Sequence, residues 1–329
     1  MKPLQRVFVS GVASGQNPSP GVGVARCLRA AFPQATLVAV DYSRQSAGLA
    51  WQDFDEAVVR PPWTRGRESR HAEYVRRCVA AGGIWISCLD LELALLAKRL
   101  PGRGNVPCPP SSALRLAAKP AAAVGRLLGL PVPPSFHLGD APPRAVASFC
   151  REHGWPVWVK GPQYGAAPAW SWYELEPLVR RMAAHWGGRR GLLLQAHSEG
   201  QDVTIAFAAL RGELLGAVQL EKLERTAEGK VWSGRVSPVP VPLERRLRAL
   251  ARATRWTGGG EIECVRDPLS RLWLIECNPR FPAWIYGAAL AGQNLPARLV
   301  AAISGRPSAA PRLRRRGFTR VVLESPAPL

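Results

Sequence analysis

The chain has 329 residues, enough for two or three compact domains with substantial cores. Hydrophobic residues make up 47% and charged residues 21%, the balance of a soluble globular protein. No apolar stretch approaches the roughly 20 residues needed to span a bilayer, and the run VFVSGV breaks at once into Gly, Asn and Pro, so a cytoplasmic location is expected. The formal net charge of +20 admits nucleic acid, a membrane surface or an acidic partner. Only six of the 44 basic residues are lysine, however, and the Arg, Ala, Gly and Pro content reads as a compositional bias with a solvated surface. Arg314, Arg315 and Arg316 form the one dense cluster, and no recognisable RNA or DNA module accompanies it. The seven cysteines are scattered without a C-x-x-C pair or a neighbouring His, which disfavours zinc and a disulfide framework and predicts reduced, structural thiols.

In chain order, RVFVSG reads as a strand entering the turn-rich loop VASGQNPSPGVG. GVARCLRAAF has apolar residues at helical spacing, and TLVAVD is a second buried strand ending at Asp41. WISCLDLELALLAKRL adds a strand and a helix, so the first hundred residues predict a doubly wound parallel sheet. Gly21 and Gly23 before a helix, with Asp41 after the next strand, suggest a dinucleotide loop. The third glycine is missing, because position 26 is Arg, and this disfavours an NAD-dependent oxidoreductase. The proline-rich NVPCPPSS marks a domain boundary. ALRLAAKPAAAVGRLLGLPVPPS then reads as a helix interrupted near Lys119 and closed by Gly129 and Pro131, and WPVWVKGP as a strand ending at Lys160. LLLQAHSEGQDVTIAFAALRGELLGAVQLEKL contains a strand, a turn at Glu199 and Gly200, and two alternating strands joined at Arg211 and Gly212.

GGGEIECVRDPLSRLWLIECNPRFPAW predicts a hairpin turning at RDPLSR. Glu263 lies on its first strand and Glu276 on its second, with Asn278 two residues after Glu276 on the same face. Two carboxylates brought together repel unless a cation intervenes. Two carboxylates and a carboxamide oxygen suit magnesium, which completes its shell with phosphate and water. Glu261, on the same face as Glu263, is an alternative outer ligand, and Arg280 offers a planar fork to a phosphate or carboxylate. Cys277 alternates with the polar residues and belongs to the opposite, core layer. Trp232, Trp273 and Trp284 read as core or pocket wall, and the five histidines show no pairing with Ser or Cys that would suggest a nucleophile.

This hairpin resembles the metal-binding hairpin of the ATP-grasp superfamily, most closely the branch of carbamoyl-phosphate synthetase and biotin carboxylase, where E-x-N-x-R ends the second strand. The resemblance spans roughly residues 5 to 305. VKGP with its Ala-rich loop, the pattern from Lys222 to Trp232 and NPRFPAWIYGAALAGQNLP are similar to a bacterial subgroup sometimes associated with amino-acid decarboxylase-like modules. The resemblance implies a mixed α/β and α+β chain: a Rossmann-like domain over 1–105, a lid subdomain over 106–195, a catalytic subdomain over 196–306 and a C-terminal basic segment, with a candidate terminal strand, over 307–329. It implies ATP with Mg2+ or Mn2+. Lys119 would contact the nucleotide at the entry to the lid, Lys160 its α and β phosphates and Gln195 the adenine, unless Gln195 merely caps a strand. Asp202, where a glutamate is usual, would meet the ribose, and Lys222 the γ-phosphate. Glu263, Glu276 and Asn278 would hold the metal, with Arg280 and Lys222 catalytic.

The function so implied is an ATP-dependent carboxylate–amine ligase working through an acyl phosphate and releasing ADP and phosphate. Its partners would be a small-molecule carboxylate and an amine, such as amino acids or a peptide, with a homodimer as the candidate assembly. The glycine-poor loop GPQYGAAPAW keeps a second reading open, a nucleotide-binding accessory protein with little turnover.

Overall fold

The computed structural model describes residues 6–13, 19–64, 66–226, 229–306 and 313–320. Part of the glycine-rich loop (14–18), residues 227–228 of the stretch from Lys222 to Trp232, and 307–312 and 321–329 of the C-terminal segment lie outside them. The chain forms two compact units. One comprises Met1–Arg115, Val203–Ile262 and Asn278–Leu329; the other comprises Leu116–Asp202 and Glu263–Cys277.

The first unit opens with β1 (Arg6–Ser10), α1 (Pro20–Ala31), β2 (Thr36–Asp41), β3 (Glu56–Val59), α2 (Glu68–Ala80), β4 (Ile84–Ile86) and α3 (Asp90–Arg99). Their strands pair in parallel in the order β3-β2-β1-β4. Alternation along β1 divides the core. Val7 and Val9 pack with Val24 and Leu28 of α1, whereas Phe8 packs with Val75 and Val79 of α2 and Leu96 of α3. This is the doubly wound sheet that the sequence predicts. Ser19 caps α1 by accepting from the Val22 N–H, and its hydroxyl donates to the Gly11 carbonyl at 2.6 Å.

After α4 (Ser111–Ala117), the second unit contains α5 (Ala122–Leu128), β5 (Ser135–His137), α6 (Pro143–His153), β6 (Val157–Lys160), β7 (Ala166–Ala169), α7 (Trp172–Trp186) and β8 (Leu193–Ala196). The helix interruption at Lys119 is the gap between α4 and α5, and Gly129 ends α5 in the left-handed region at φ 59°. The strands form an antiparallel sheet, β5-β8-β6-β7. Val157, Val159, Leu194 and Ala196 face α6 and α7, so alternation sends Trp158, Lys160 and Gln195 to the opposite face.

The chain continues through β9 (Gln201–Leu210), β10 (Glu213–Arg225), β11 (Val231–Ser237), α8 (Val241–Thr254), β12 (Gly258–Arg266), β13 (Leu272–Asn278), α9 (Ile285–Leu290), α10 (Leu295–Ile303) and β14 (Arg316–Thr319). The third sheet has the order β13-β12-β9-β10-β11-β14. Arg211 and Gly212 join β9 to β10 with φ of 52° and 88°, the two positive values of a tight hairpin turn. The glycines that open β12 are there for space: a Cβ on Gly260 would meet the Phe207 ring at 2.2 Å and one on Gly259 the Phe281 ring at 2.6 Å. No helix among the described residues is long and apolar enough to cross a membrane.

Candidate active site

Lys160 is the centre of the second unit's polar cluster. Only 4% exposed at the end of β6, it donates to Gln195 Oε1 at 2.6 Å and to the Ile275 carbonyl at 3.5 Å. Gln195, equally buried on β8, donates through Nε2 to Ser135 Oγ at 3.1 Å, and that hydroxyl donates to the Pro133 carbonyl at 2.8 Å. The register sets Trp158 opposite Gln195 and Lys160 opposite Leu193, so the Lys160–Gln195 bond runs diagonally between adjacent strands. Both polar ends of the Gln195 side chain are engaged in holding Lys160 and Ser135. Lys119, between α4 and α5, lies 3.3 Å from Glu276 Oε1.

The charge state of Lys160 follows from this setting. Burial pulls its ammonium down to about 8; Glu276 opposes that shift, Lys119 adds to it, and Glu263 opposes it. The folded chain therefore releases this proton near pH 8, while the unfolded chain keeps it to about 10.5. Between those values the unfolded state binds more protons, and this group makes stability rise with pH. Anion binding works the other way, since a phosphate beside Lys160 favours the ammonium. Were the nucleotide implied by the sequence resemblance to place a phosphate beside Lys160, affinity for ADP would fall as pH rises above about 8, with proton uptake on binding at pH 8.5. Titration calorimetry in buffers of different ionisation enthalpy checks this; proton-neutral binding with unchanged affinity at pH 9 would contradict it.

In the first unit, Glu261 is 6% exposed and accepts hydrogen bonds from Thr204 Oγ1 at 2.9 Å, Trp284 Nε1 at 2.9 Å and Asn278 Nδ2 at 3.0 Å. A carboxylate accepts only, so the Asn278 amide must turn its NH2 toward Glu261 and its oxygen away. Trp284 is accordingly a core residue with its indole N–H fixed. Arg280 is held by Asp90 at the start of α3, with Nε 3.2 Å from one carboxylate oxygen and 3.3 Å from the other. Lys222 is 9% exposed on β10, immediately before a register shift against β11, and shares the face of Leu220, which pairs with Thr204. Asp202 is the second residue of β9 and half-buried. Cys277 is buried and all seven cysteines are free thiols. The turn joining β12 to β13 is organised by Asp267, which accepts from the Trp273 indole at 3.0 Å and from the Arg271 backbone and guanidinium; these bonds hold it at about 2.

Gly21 and Gly23, expected ahead of the helix, lie within the first turn of α1 and serve packing. A Cβ on Gly21 would meet the Gly11 carbonyl oxygen at 2.7 Å, and one on Gly23 the Ala283 carbonyl at 3.2 Å. Asp41 Oδ1 accepts from the backbone N–H groups of Tyr42 and Ser43 and from Ser46 Oγ, closing its own turn. A feature without any signature in the sequence lies at the carboxyl ends of β1 and β4. Fully buried Glu92 accepts from Ser10, Ser87 Oγ at 2.7 Å and Tyr42 OH at 2.7 Å, and bonds His71 Nε2 at 2.8 Å. Burial alone would raise this carboxyl, yet His71 and the hydroxyl donors bring it below its ordinary value, while burial and Glu92 push the Tyr42 phenol up. His71 thus pairs with a carboxylate, and among the described residues no Ser or Cys side chain bonds to it.

A parallel doubly wound sheet is followed by two further sheets, and buried Lys160 stands among the hairpin carboxylates Glu276 and Glu263, the arrangement expected of an ATP-grasp fold. Solved structures agree. N5-carboxyaminoimidazole ribonucleotide synthetase from Thermus thermophilus matches with a TM-score of 0.68 at 20% identity, over 97% of this chain and 84% of its own. The biotin carboxylase domain of Hydrogenobacter thermophilus 2-oxoglutarate carboxylase, a dimer in complex with MgADP, ADP and bicarbonate, matches with a TM-score of 0.65 at 16% identity, over 96% and 73%. L-amino acid ligase from Bacillus licheniformis gives 0.64 at 14% identity, over 92% and 75%. No family model matches the sequence, and no curated protein does either. At these identities the likeness establishes the fold.

Proposed function

We propose that the protein is an ATP-dependent carboxylate–amine ligase. The observation that carries this reading is the buried Lys160, fixed by Gln195 and set among Lys119, Glu276 and Glu263 within an ATP-grasp fold. A cationic group held in a dry site at a strand end is suited to phosphate oxygens, where it acts without reorganising. Lys119, Lys160 and Lys222 bind the phosphates, Asp202 the ribose, and the backbone around Gln195 borders the adenine while its side chain positions Lys160. In this reading residues 106–195 are the lid subdomain and residues 196–306 the catalytic subdomain. A homodimer is the proposed assembly, to be checked by sedimentation.

The donor set of Glu263, Glu276 and Asn278 fits Mg2+: two carboxylates and one amide oxygen, the amide turned by its bond to Glu261. When bound, the ion would neutralise phosphate charge. The substrate carboxylate attacks the γ-phosphorus, giving ADP and an acyl phosphate. The amine then attacks the acyl carbon, phosphate leaves, and the amine gives up a proton. The chain supplies position and charge, and no protein nucleophile takes part. A screen of amino-acid pairs for ATP-dependent phosphate release tests the proposal; ligated product with phosphate in equal amount supports it, and no turnover with any carboxylate and amine counts against it.

Arg280 is the anion-binding residue beside the hairpin. Asp90 grips its Nε edge, which orients the planar group. Arg280→Lys keeps the charge and loses both the fork and the Asp90 geometry. Catalysis should fall roughly tenfold or more, with ATP affinity nearly unchanged, about 1.4 kcal/mol or more. Steady-state kinetics beside ADP calorimetry checks this, and normal kinetics would give Arg280 a purely structural role.

A further inference from the structure

We propose that Glu92 is a positioning residue for Arg280, acting through the first turn of α3. What Arg280 is positioned for rests on the ligase reading; that Glu92 positions it does not.

In the strand order β3-β2-β1-β4, the chain leaves β1 toward β2 and later returns to its other side at β4. The carboxyl ends of β1 and β4 are therefore the switch point of the sheet, where open parallel sheets bind their ligands. Fully buried Glu92 occupies it. Ser10 ends β1 and Ser87 follows β4, and both hydroxyls donate to Oε2. Tyr42, just after β2, and His71 on α2 bond the other oxygen, Oε1. Ser87 Oγ also accepts from the backbone N–H of Leu89, the N-cap of α3. Two residues before Glu92, Asp90 opens the same turn and holds Arg280 Nε at 3.2 and 3.3 Å from its two carboxylate oxygens. Arg280 comes from 190 residues further along the chain, so the direction of its planar group follows from where this turn is fixed. Burial pushes the Cys88 thiol up to about 12, and the charges of Arg280, Glu92 and Asp90 all act on it, which places the three about one short connection.

A buried carboxylate is a poor device for stability alone, because its desolvation can outweigh what its partners return and an apolar side chain of similar volume often serves as well. It is a good device for geometry. Three hydroxyls and a ring N–H aimed at two oxygens leave the side chain one arrangement. An anchor for α3 could sit on any of its turns; this one sits on the turn that carries Asp90. The Asp90 and Arg280 side chains are 16% and 20% exposed, so the pair borders the surface while its support is dry.

The test reads Arg280 directly, by nuclear magnetic resonance of the full chain with isotope-labelled arginine. The Nε–H signals of Arg280 and Arg29 are identified by their loss in Arg280→Lys and Arg29→Lys, and their hydrogen exchange is followed at fixed pH. Arg29 Nε donates to the Asp53 carbonyl in the same unit and is the internal control. Glu92→Gln is expected to speed exchange at Arg280 roughly tenfold or more, and at Arg29 less than about twofold. Tyr42→Phe removes one donor and keeps the carboxylate; it should act in the same direction by about threefold or more, and it decides the question if the glutamine variant does not fold. Unchanged exchange at Arg280 overturns the proposal, and so does equal acceleration at both arginines, which would make Glu92 a prop of the whole unit. With a turnover assay, Glu92→Gln should lower kcat with little change in KM for ATP, and combined with Arg280→Lys it should cost no more than Arg280→Lys alone; losses that multiply would also overturn it. Absence of turnover in the parent protein would count against the ligase reading, while the exchange result still decides the positioning.

Discussion

Replacing Glu276 with Gln is expected to lower magnesium-dependent turnover at least a hundredfold while leaving the fold intact, about 2.7 kcal/mol of lost transition-state stabilisation. Two effects act together. The amide keeps the size of the side chain but removes the charge proposed to hold the cation, and it removes the carboxylate 3.3 Å from Lys119. The same carboxylate supports the Lys160 ammonium against burial, so its loss moves Lys160 further below about 8. The pH at which ADP affinity begins to fall should move down in this variant. Metal-free nucleotide binding at pH 7 should change little. Near-normal turnover at ordinary magnesium and saturating substrate would show that Glu276 is not a ligand.

The second large effect is expected at Glu261, on stability. Glu261→Ala strands the Thr204 hydroxyl, the Trp284 indole N–H and the Asn278 amide in a buried setting. Each buried donor left unsatisfied costs about 1–3 kcal/mol, so a loss of roughly 3 kcal/mol or more is expected. Glu261→Gln can accept at only one end and should cost about half as much, while letting the Asn278 amide turn over. Urea unfolding of both variants checks this. A loss below about 1 kcal/mol for the alanine variant would mean that the three donors find other partners.

These two residues show what the sequence discloses and what it hides. Glu261 and Glu263 share a strand face by alternation, and nothing in their spacing distinguishes a metal ligand from an internal anchor. The difference comes from Thr204 and Trp284, 57 and 23 residues away along the chain. Gln195 is similar: its strand is legible, but its bond to Lys160 depends on the pairing of β8 with β6. The hairpins were readable because turn chemistry is local, as at Arg211–Gly212. The doubly wound opening was readable because buried parallel strands are continuous apolar runs. Less visible was α2, ESRHAEYVRRCVA, where a polar sequence buries only His71, Ala72, Val75 and Val79. β7, AAPA, contains Pro168 and is tolerable as a strand because it lies at a sheet edge. The Glu92 cluster gathers residues 10, 42, 71, 87 and 92 from separate elements, so no local pattern marks it.

The identity of the nucleotide product tests the central claim most directly. Lys160 and Lys222 beside the terminal phosphates would favour attack by a carboxylate on the γ-phosphorus, whereas an adenylating ligase attacks the α-phosphorus. Once an amino-acid pair that supports turnover is in hand, chromatography of the reaction should show ADP and phosphate accumulating in step with the ligated product. AMP and pyrophosphate in stoichiometric amount would contradict the account, whatever the fate of the individual residue assignments.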